Sequence, residues 1–163
     1  MKRTYIYILL FWVLDLISKQ LVIHYFKLYE SIKIIPNFFN LTYVRNSGAA
    51  FSIFQDSQSL ILLVTVIALF YIYKSLNNTS LKKLDSFAYS MITGGILGNL
   101  SDRLAYGYVI DFLDFRLGSY NYPVFNLADC FIVVGVIILG ICMLLERRDE
   151  HGNKVSRRWR KNW

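Results

Sequence analysis

The sequence predicts an all-α membrane protein with four transmembrane helices and a small extracytoplasmic β-sheet and loop region between helices 1 and 2. Of its 163 residues, 55% are hydrophobic, and the mean hydropathy is +0.40. The apolar residues are gathered in four runs near the length that crosses a bilayer. We expect a single membrane domain over residues 1–163, with spans near 5–25, 59–76, 87–104 and 129–145.

The first run follows Lys2 and Arg3, a basic start that is also typical of a secretory signal. It is too long for a signal peptide, Asp15 interrupts it, and no Ala-x-Ala cleavage pattern follows, so we predict a retained helix. Asp15 and Lys19 are four residues apart and share one helical face, which in lipid must turn towards other helices. They are either part of an active site or, as we favour, a neutralised pair that holds this helix in place.

The segment at residues 27–57 is more polar. Apolar and polar residues alternate between Phe39 and Tyr43, a period of two that predicts a strand, and we expect a short amphipathic sheet on the membrane surface. Asn46-Ser47-Gly48 is a turn signal, and the small residues that begin Ala49-Ala50-Phe51 let the backbone approach another group closely. Asn46 either makes this turn or points its amide at a substrate.

The third run, from Phe87 to Leu104, is the least apolar of the four. Gly94 and Gly98 form a Gly-x-x-x-Gly step, which lets helices pack backbone to backbone. A packing seam explains these glycines, but it does not explain the polar residues that follow on the same face. These are Asn99, Asp102 and Arg103, and the arginine is well placed to pair with a carboxylate.

The fourth run, from Cys130 to Leu145, is preceded by Asn126 and Asp129. Helix N-caps and first-turn acids occur at such positions, so capping is the structural alternative to a functional role for one of them. The tail at 146–163 is basic and aromatic, and we expect it to lie on anionic lipid in the cytoplasm.

The charge distribution indicates topology rather than nucleic-acid binding. The net charge is +7. With four spans both termini share one side, which carries twelve basic and four acidic residues, a net +8 against −1 for the rest. By the positive-inside rule both termini are cytoplasmic, and the outer side then holds Asn46, Asp111 and Asp129.

Two carboxylates, Asp111 and Asp129, lie in apolar surroundings near the membrane edge, where a carboxylate is costly unless it is paired or functional. Such a pair suits acid–base chemistry on water: the ionised carboxylate takes a proton from water and the protonated one donates to a carbonyl oxygen. Because Asp129 stands at a helix N-terminus, we assign the proton to Asp111. No metal site is predicted, because Cys130, Cys142 and the two histidines form no three-ligand set.

Five sequence blocks together resemble the bacterial lipoprotein signal peptidases, also called signal peptidase II. The blocks are Asp15-Leu-Ile-Ser-Lys19, Asn46-Ser-Gly-Ala-Ala-Phe51, Gly94-Gly-Ile-Leu-Gly-Asn-Leu-Ser-Asp-Arg103, Val109-Ile-Asp-Phe112 and Phe125-Asn-Leu-Ala-Asp129. Each block alone is weak evidence for this family, whereas the occurrence of all five in this order is highly specific for it.

The resemblance implies an intramembrane aspartic endopeptidase that cuts prolipoproteins just before a diacylglyceryl-modified cysteine, at the outer face of the cytoplasmic membrane. It implies Asp111 and Asp129 as the catalytic pair. The residues implied to orient the pair or bind substrate are Asn46, Gly48, Asn99, Arg103 and Asn126; those implied as structural support are Asp15, Lys19 and Asp102. It implies no metal or organic cofactor, no nucleic acid, membrane lipids as partners and a monomeric enzyme.

Two rival functions stay open from the sequence. A small transporter would also place Asp, Lys and Arg within the membrane, although four short spans without a repeat are untypical of one. A non-catalytic assembly subunit would use the same polar residues to hold helices together.

For the peptidase, we expect residues 105–123 to form a loop that clamps the peptide, with Asp114 in that loop and outside the chemistry.

Overall fold

The computed structural model describes residues 2–48, 58–77, 82–118 and 120–160, with side chains from Ser59 in the second range and up to Leu145 in the last. This part of the chain is mostly helical and carries a small antiparallel sheet. Its helices are α1 (Lys2–Tyr25), α2 (Gln58–Leu76), α3 (Lys83–Tyr106) and α4 (Leu127–Arg160). Its strands are β1 (Ser31–Ile35), β2 (Phe39–Asn46), β3 (Val109–Leu117) and β4 (Tyr120–Asn121).

Three helices within the described residues are long and apolar enough to cross a membrane: Lys2–Tyr25, Ser59–Leu76 and Leu127–Leu145. They correspond to the predicted first, second and fourth spans. The third predicted span, α3, has the length but not the hydropathy. It packs against α1, α2 and α4, and its buried positions hold small and polar residues such as Ser90 and Thr93 instead of lipid-facing side chains.

The glycines of α3 lie where neighbouring helices approach most closely. A Cβ atom on Gly94 would lie 2.6 Å from Phe11 Cβ of α1, and one on Gly95 would lie 2.5 Å from the Ala128 carbonyl oxygen of α4. A Cβ on Gly98 would overlap the Asp15 carboxylate. The helix face predicted as a packing seam is therefore in contact with α1, and the neighbouring position contacts α4.

Three of the helices, α1, α3 and α4, have relative directions fixed by contacts near their ends, and one end of the bundle carries the sheet. Near the start of α1 and α3, Thr4 Oγ1 lies 2.8 Å from Ser86 Oγ. Near their ends, Lys19 Nζ lies 2.9 Å from Asp102 Oδ2. These two helices are therefore parallel, and α4, which begins beside the end of α3, is antiparallel to both.

The sheet has the strand order β1-β2-β3-β4, with antiparallel neighbours. The prediction that it lies between the first two helices is incomplete, because β3 and β4 follow α3. The prediction of a loop over residues 105–123 is wrong for the same reason. Val109 to Phe112 are all buried. Because both faces of this half of β3 are covered, its sequence does not alternate between apolar and polar residues, and that alternation is the pattern that predicts a strand.

A β-bulge interrupts the pairing of β2 with β3. Leu41 pairs with Leu113, whereas Val44 pairs with Asp111, so Thr42–Tyr43 occupy two positions opposite one residue of β3. A bulge of this kind bends the strand and re-aims the side chains beyond it. Here those side chains include that of Asn46, at the end of β2.

The sheet packs on the end of α1 through a small apolar cluster of Val22, Tyr43, Ile110 and Phe112. The predicted close approach at Ala49-Ala50-Phe51 lies outside the described residues. The predicted contact of the tail 146–163 with lipid also lies outside them, because α4 is described as backbone to Arg160 without these side chains.

Candidate active site

The start of α4 is closed by a reciprocal pair of hydrogen bonds. The Asp129 backbone N–H donates to Asn126 Oδ1 at 3.0 Å, and the Asn126 backbone N–H donates to Asp129 Oδ2 at 3.3 Å. This is the geometry of a capping box, with Asn126 as the N-cap. Capping uses only part of each side chain: Asp129 Oδ1 accepts a hydrogen bond from Asn99 Nδ2 at 2.8 Å, and the Asn126 NH2 group points elsewhere.

That NH2 group reaches Asp111, the second candidate carboxylate. Asp111 is buried on β3, and its Oδ1 accepts from Asn126 Nδ2 at 2.7 Å while its Oδ2 accepts from Asn46 Nδ2 at 2.8 Å. Asn126 is fully buried and also donates to Asn99 Oδ1 at 3.0 Å. It therefore joins the two aspartates, one through its side-chain amide and the other through the capping box.

The orientation of each of the three asparagine amides is set by a donor on its oxygen side. An amide offers a carbonyl oxygen as acceptor and an NH2 group as donor. The oxygens of Asn46, Asn126 and Asn99 accept, in that order, from the Gly48 N–H at 3.0 Å, the Asp129 N–H at 3.0 Å and Lys19 Nζ at 2.9 Å. All three NH2 groups consequently face Asp111 or Asp129.

Lys19 is fully buried and has two acidic partners. Its Nζ lies 2.8 Å from Asp15 Oδ2 and 2.9 Å from Asp102 Oδ2. Burial of these charges is tolerated only because they are paired and hydrogen-bonded. The two carboxylates extend the contact further: Asp15 Oδ1 accepts from the Ala128 N–H at 2.8 Å, and Asp102 Oδ2 accepts from the Ile110 N–H at 3.1 Å.

The ion triad of Asp15, Lys19 and Asp102 thus links α1 and α3 to the first turn of α4 and to the start of β3. These are the two segments that carry Asp129 and Asp111. The ion pair expected from the spacing of Asp15 and Lys19 is present, and its position supports the structural role that the sequence favours.

Arg103 connects α3 to the chain that follows β2. Its Nη2 donates to the Gly48 carbonyl oxygen at 3.0 Å, and its Nη1 donates to the Asn99 carbonyl oxygen at 3.3 Å. Among the described residues, these two backbone contacts take the place of the expected direct pairing with a carboxylate. The guanidinium still contributes positive charge near Asp129 and Asp111.

Burial and, next in size, the negative charge of Asp129 raise the pKa of Asp111 from its ordinary value, and the net result of all its contacts is a pKa of about 7. The hydrogen bonds from Asn46 and Asn126 and the charge of Lys19 act against this rise. A carboxyl group with this pKa holds its proton up to neutral pH, which agrees with the assignment of the proton to Asp111.

The structure brings all the predicted site residues into one continuous polar network. Asp114 is placed differently from the expectation. It is on β3 and not in a loop, it is buried, and its Oδ2 accepts hydrogen bonds from Asn40 Nδ2 and Thr42 Oγ1. Asn40 and Thr42 are not among the site residues predicted from the sequence, because their partner is distant in the chain and the pairing of β2 with β3 is not visible in either segment alone.

Comparison with known proteins gives consistent matches. Residues 7–145 match the family described as Signal peptidase (SPase) II. The chain belongs to the signal peptidase II family. A lipoprotein signal peptidase of Photorhabdus laumondii is 43% identical over 152 residues, which cover 88% of either chain. A lipoprotein signal peptidase of Pasteurella multocida is 46% identical over 145 residues, 86% of either chain.

The fold of this signal peptidase II family member is shared with solved structures of bacterial membrane enzymes. One superposes with a TM-score of 0.84 at 29% identity, covering 91% of this chain and 92% of the other. A second gives 0.79 at 30% identity, covering 88% and 94%. Membership of the family indicates a protease, and the candidate spans together with these neighbours indicate a membrane protein.

Proposed function

We propose that this protein is an aspartic endopeptidase that removes the signal peptide from prolipoproteins, with Asp111 and Asp129 as its catalytic pair. The observation that carries the proposal is the path from Asp111 through Asn126 to Asp129, which joins two carboxylates from different elements. The relatives named lipoprotein signal peptidase supply the substrate class.

The two carboxyl groups divide the acid and base roles. Asp111 carries the shared proton, since burial and the charge of Asp129 raise its pKa to about 7. Ionised Asp129 takes a proton from water, whose oxygen attacks the scissile carbonyl carbon while Asp111 protonates the carbonyl oxygen. The tetrahedral intermediate then collapses: protonated Asp129 gives its proton to the nitrogen, the C–N bond breaks, and Asp111 takes a hydroxyl proton back from the intermediate as the carboxyl product forms.

The asparagines keep this pair in place through the reaction. Asn126 contacts both carboxyl groups, Asn46 holds Asp111, and Asn99 holds Asp129. Their amide orientations are fixed by donors other than the two carboxyl groups, namely backbone N–H groups and Lys19, so each continues to donate when a carboxylate changes its protonation state. Gly48 and Arg103 complete the arrangement by anchoring the turn that orients Asn46.

The position of the network suits a substrate that is held in a membrane. The acyl chains of a diacylglyceryl-cysteine stay in the bilayer, so the peptide bond before that cysteine remains at the membrane surface. The network lies at the end of the bundle opposite Lys2, Arg3 and Lys83. We infer that this end faces outward from the cytoplasmic membrane, that α3 is a fourth crossing, and that both termini are cytoplasmic.

The proposed enzyme works as a monomer among membrane lipids and uses no metal or organic cofactor. The two carboxyl groups and one water supply every proton that the hydrolysis moves. The polar network lies within one chain, with residues from α1, β2, α3, β3 and α4.

Asp111→Asn and Asp129→Asn test the catalytic pair, because each keeps the side-chain shape but removes a group that must exchange a proton. With purified protein and a synthetic diacylglyceryl lipopeptide, we expect each variant to lose at least about 10²–10⁴-fold in turnover. The pair acts as a unit, so the double variant should be scarcely slower than either single one.

The matched control is Asp85→Asn, on the same helix as Asn99 but in its first turn. A rise of 1.5 Å per residue places this position roughly 20 Å from Asn99 along the helix, so the turnover of this variant should be near that of the wild type. A folded Asp111→Asn protein that still releases the signal peptide at the wild-type rate would contradict the proposal.

A further inference from the structure

Asp114 is a buried carboxylate that the proposed chemistry does not use. It is 8% exposed, and its Oδ2 accepts from Asn40 Nδ2 at 3.1 Å and from Thr42 Oγ1 at 2.7 Å. Both donors are on β2, and Asn40 is only 3% exposed. Burying a carboxylate is costly, and this one is placed at the point where the pairing of β2 and β3 changes register.

The two donors lie on either side of that change. Asn40 precedes the bulge and pairs directly with Asp114, whereas Thr42 is one of the two bulge residues. A single carboxylate oxygen therefore ties the regular part of β2 to the bulge itself. Ser31 Oγ lies 2.8 Å from Thr42 Oγ1, which continues this polar contact to β1.

The bulge decides which face of the sheet Asn46 occupies. Side chains alternate along a strand, so one extra residue reverses the facing of everything beyond it. With the bulge, Asn46 pairs with Val109, and its side chain lies on the same face as that of Asp111. If the earlier register continued, Asn46 would stand opposite Tyr108, and its amide would point to the other face.

We propose that Asp114 is a positioning residue for the catalytic pair: by holding Asn40 and Thr42 it fixes the β2 bulge, and the bulge places the Asn46 amide on Asp111. The inference rests on the proposed role of Asp111. In this role Asp114 affects Asp111 through Asn46 and does not contact the substrate.

The effect has a direct consequence for the protonation of Asp111. The hydrogen bond from Asn46 lowers the pKa of Asp111 against the upward effect of burial. Without it the titration of Asp111 should move to higher pH by about one unit, since a hydrogen bond to a charged group has this magnitude. The other charged groups near Asp111 stay in place: Asp129 on α4, Lys19 on α1 and Arg103 on α3.

The experiment compares Asp114→Ala, Asn46→Ala and the double variant. The first readout is the infrared band of the protonated Asp111 carboxyl group, identified by its loss in Asp111→Asn and titrated with pH in the substrate-free enzyme. The second is the upper limb of the pH dependence of kcat/KM. We expect both single variants to shift the titration upward by a similar amount and the double variant to shift it no further.

Ser31→Ala is the matched control, because it removes the contact with Thr42 but leaves both hydrogen bonds to Asp114. Its titration should match that of the wild type. A folded Asp114→Ala protein with an unshifted titration would overturn the inference, as would shifts that add in the double variant, because either result means that Asp114 does not act through Asn46.

Thr42→Val keeps the inference testable if Asp114→Ala fails to fold. Valine preserves the branched shape and removes one of the two hydrogen bonds to Asp114. We expect a smaller shift in the same direction, and a folded Thr42→Val protein that titrates like the wild type would also overturn the inference. The infrared titration does not depend on catalysis, so it separates this failure from a failure of the proposed function, in which Asp111→Asn keeps its turnover.

Discussion

A single side chain, that of Asp111, determines the expected pH dependence of the enzyme. When both carboxyl groups of the pair are protonated, no base is available for water. Above about pH 7 Asp111 loses its proton, since its pKa is raised to about 7, and no acid remains for the carbonyl oxygen. The dependence of kcat/KM on pH should therefore be bell-shaped, with an upper limb near pH 7 that belongs to the pair. A rate that is flat from pH 6 to pH 9 would contradict this assignment.

Gly98 gives a second prediction at the residue scale. A Cβ at this position would overlap the Asp15 carboxylate, so Gly98→Ala should displace the side chain that binds Lys19 and the start of α4. We expect a loss of about 1–3 kcal/mol in stability, the usual range for overpacking, measured as a lower midpoint of thermal unfolding in detergent. The control is Gly140→Ala, where nothing lies within 4 Å of the added Cβ; equal losses for the two variants would contradict the packing argument.

At the scale of elements, Asp15 is a side chain through which α1 is joined to α4, and a substitution of Asp15 tests this link. It contacts Lys19 on its own helix and the Ala128 N–H at the start of α4. Asp15→Asn removes one of the two acids that neutralise a fully buried lysine, a change that costs roughly 3–5 kcal/mol when such a pair is broken. Because Asp102 still faces Lys19, we expect the lower end of this range.

The measurement for Asp15→Asn compares the yield of folded protein with the turnover of the fraction that remains folded. A structural role lowers the yield more than the turnover. A variant with normal yield and no turnover would instead place Asp15 among the residues that take part in the chemistry.

The elements also show which parts of the fold are visible in the sequence. The pair of Asp15 and Lys19 and the cap of Asn126 and Asp129 are local patterns, with partners three or four residues apart. The spacing predicts the first, and the position before the fourth apolar run offers a cap as the alternative role for one residue of the second. The contact of Asn46 with Asp111 spans 65 residues and depends on a bulge. Neither strand carries a local sequence signal for that bulge. The role of Asn46 beside the catalytic pair is therefore implied only by the family resemblance, and the burial of Asp114 is not predicted from the sequence.

For the whole molecule, α3 is the helix whose composition gives the weakest indication of whether it crosses the membrane. Hydropathy describes how readily a helix is transferred into lipid, whereas α3 packs against α1, α2 and α4 and contacts α1 and α4 through glycines and polar side chains. Its 24 residues correspond to about 36 Å, which is enough to cross a bilayer. Its parallel alignment with α1, which is apolar enough to be a span, also favours a crossing.

Two exposed positions on either side of α3 test this arrangement. Asn77 follows α2 and Asn121 lies in β4, and α3 is the one long helix between them in the described part of the chain. In a background without Cys130 and Cys142, we expect Asn77→Cys to react with a membrane-impermeant maleimide only after permeabilisation of right-side-out vesicles. Asn121→Cys should react without it, because the +8 side of the charge distribution is cytoplasmic. Labelling of both cysteines from one side would show that α3 does not cross, and would place the two termini on opposite sides of the membrane.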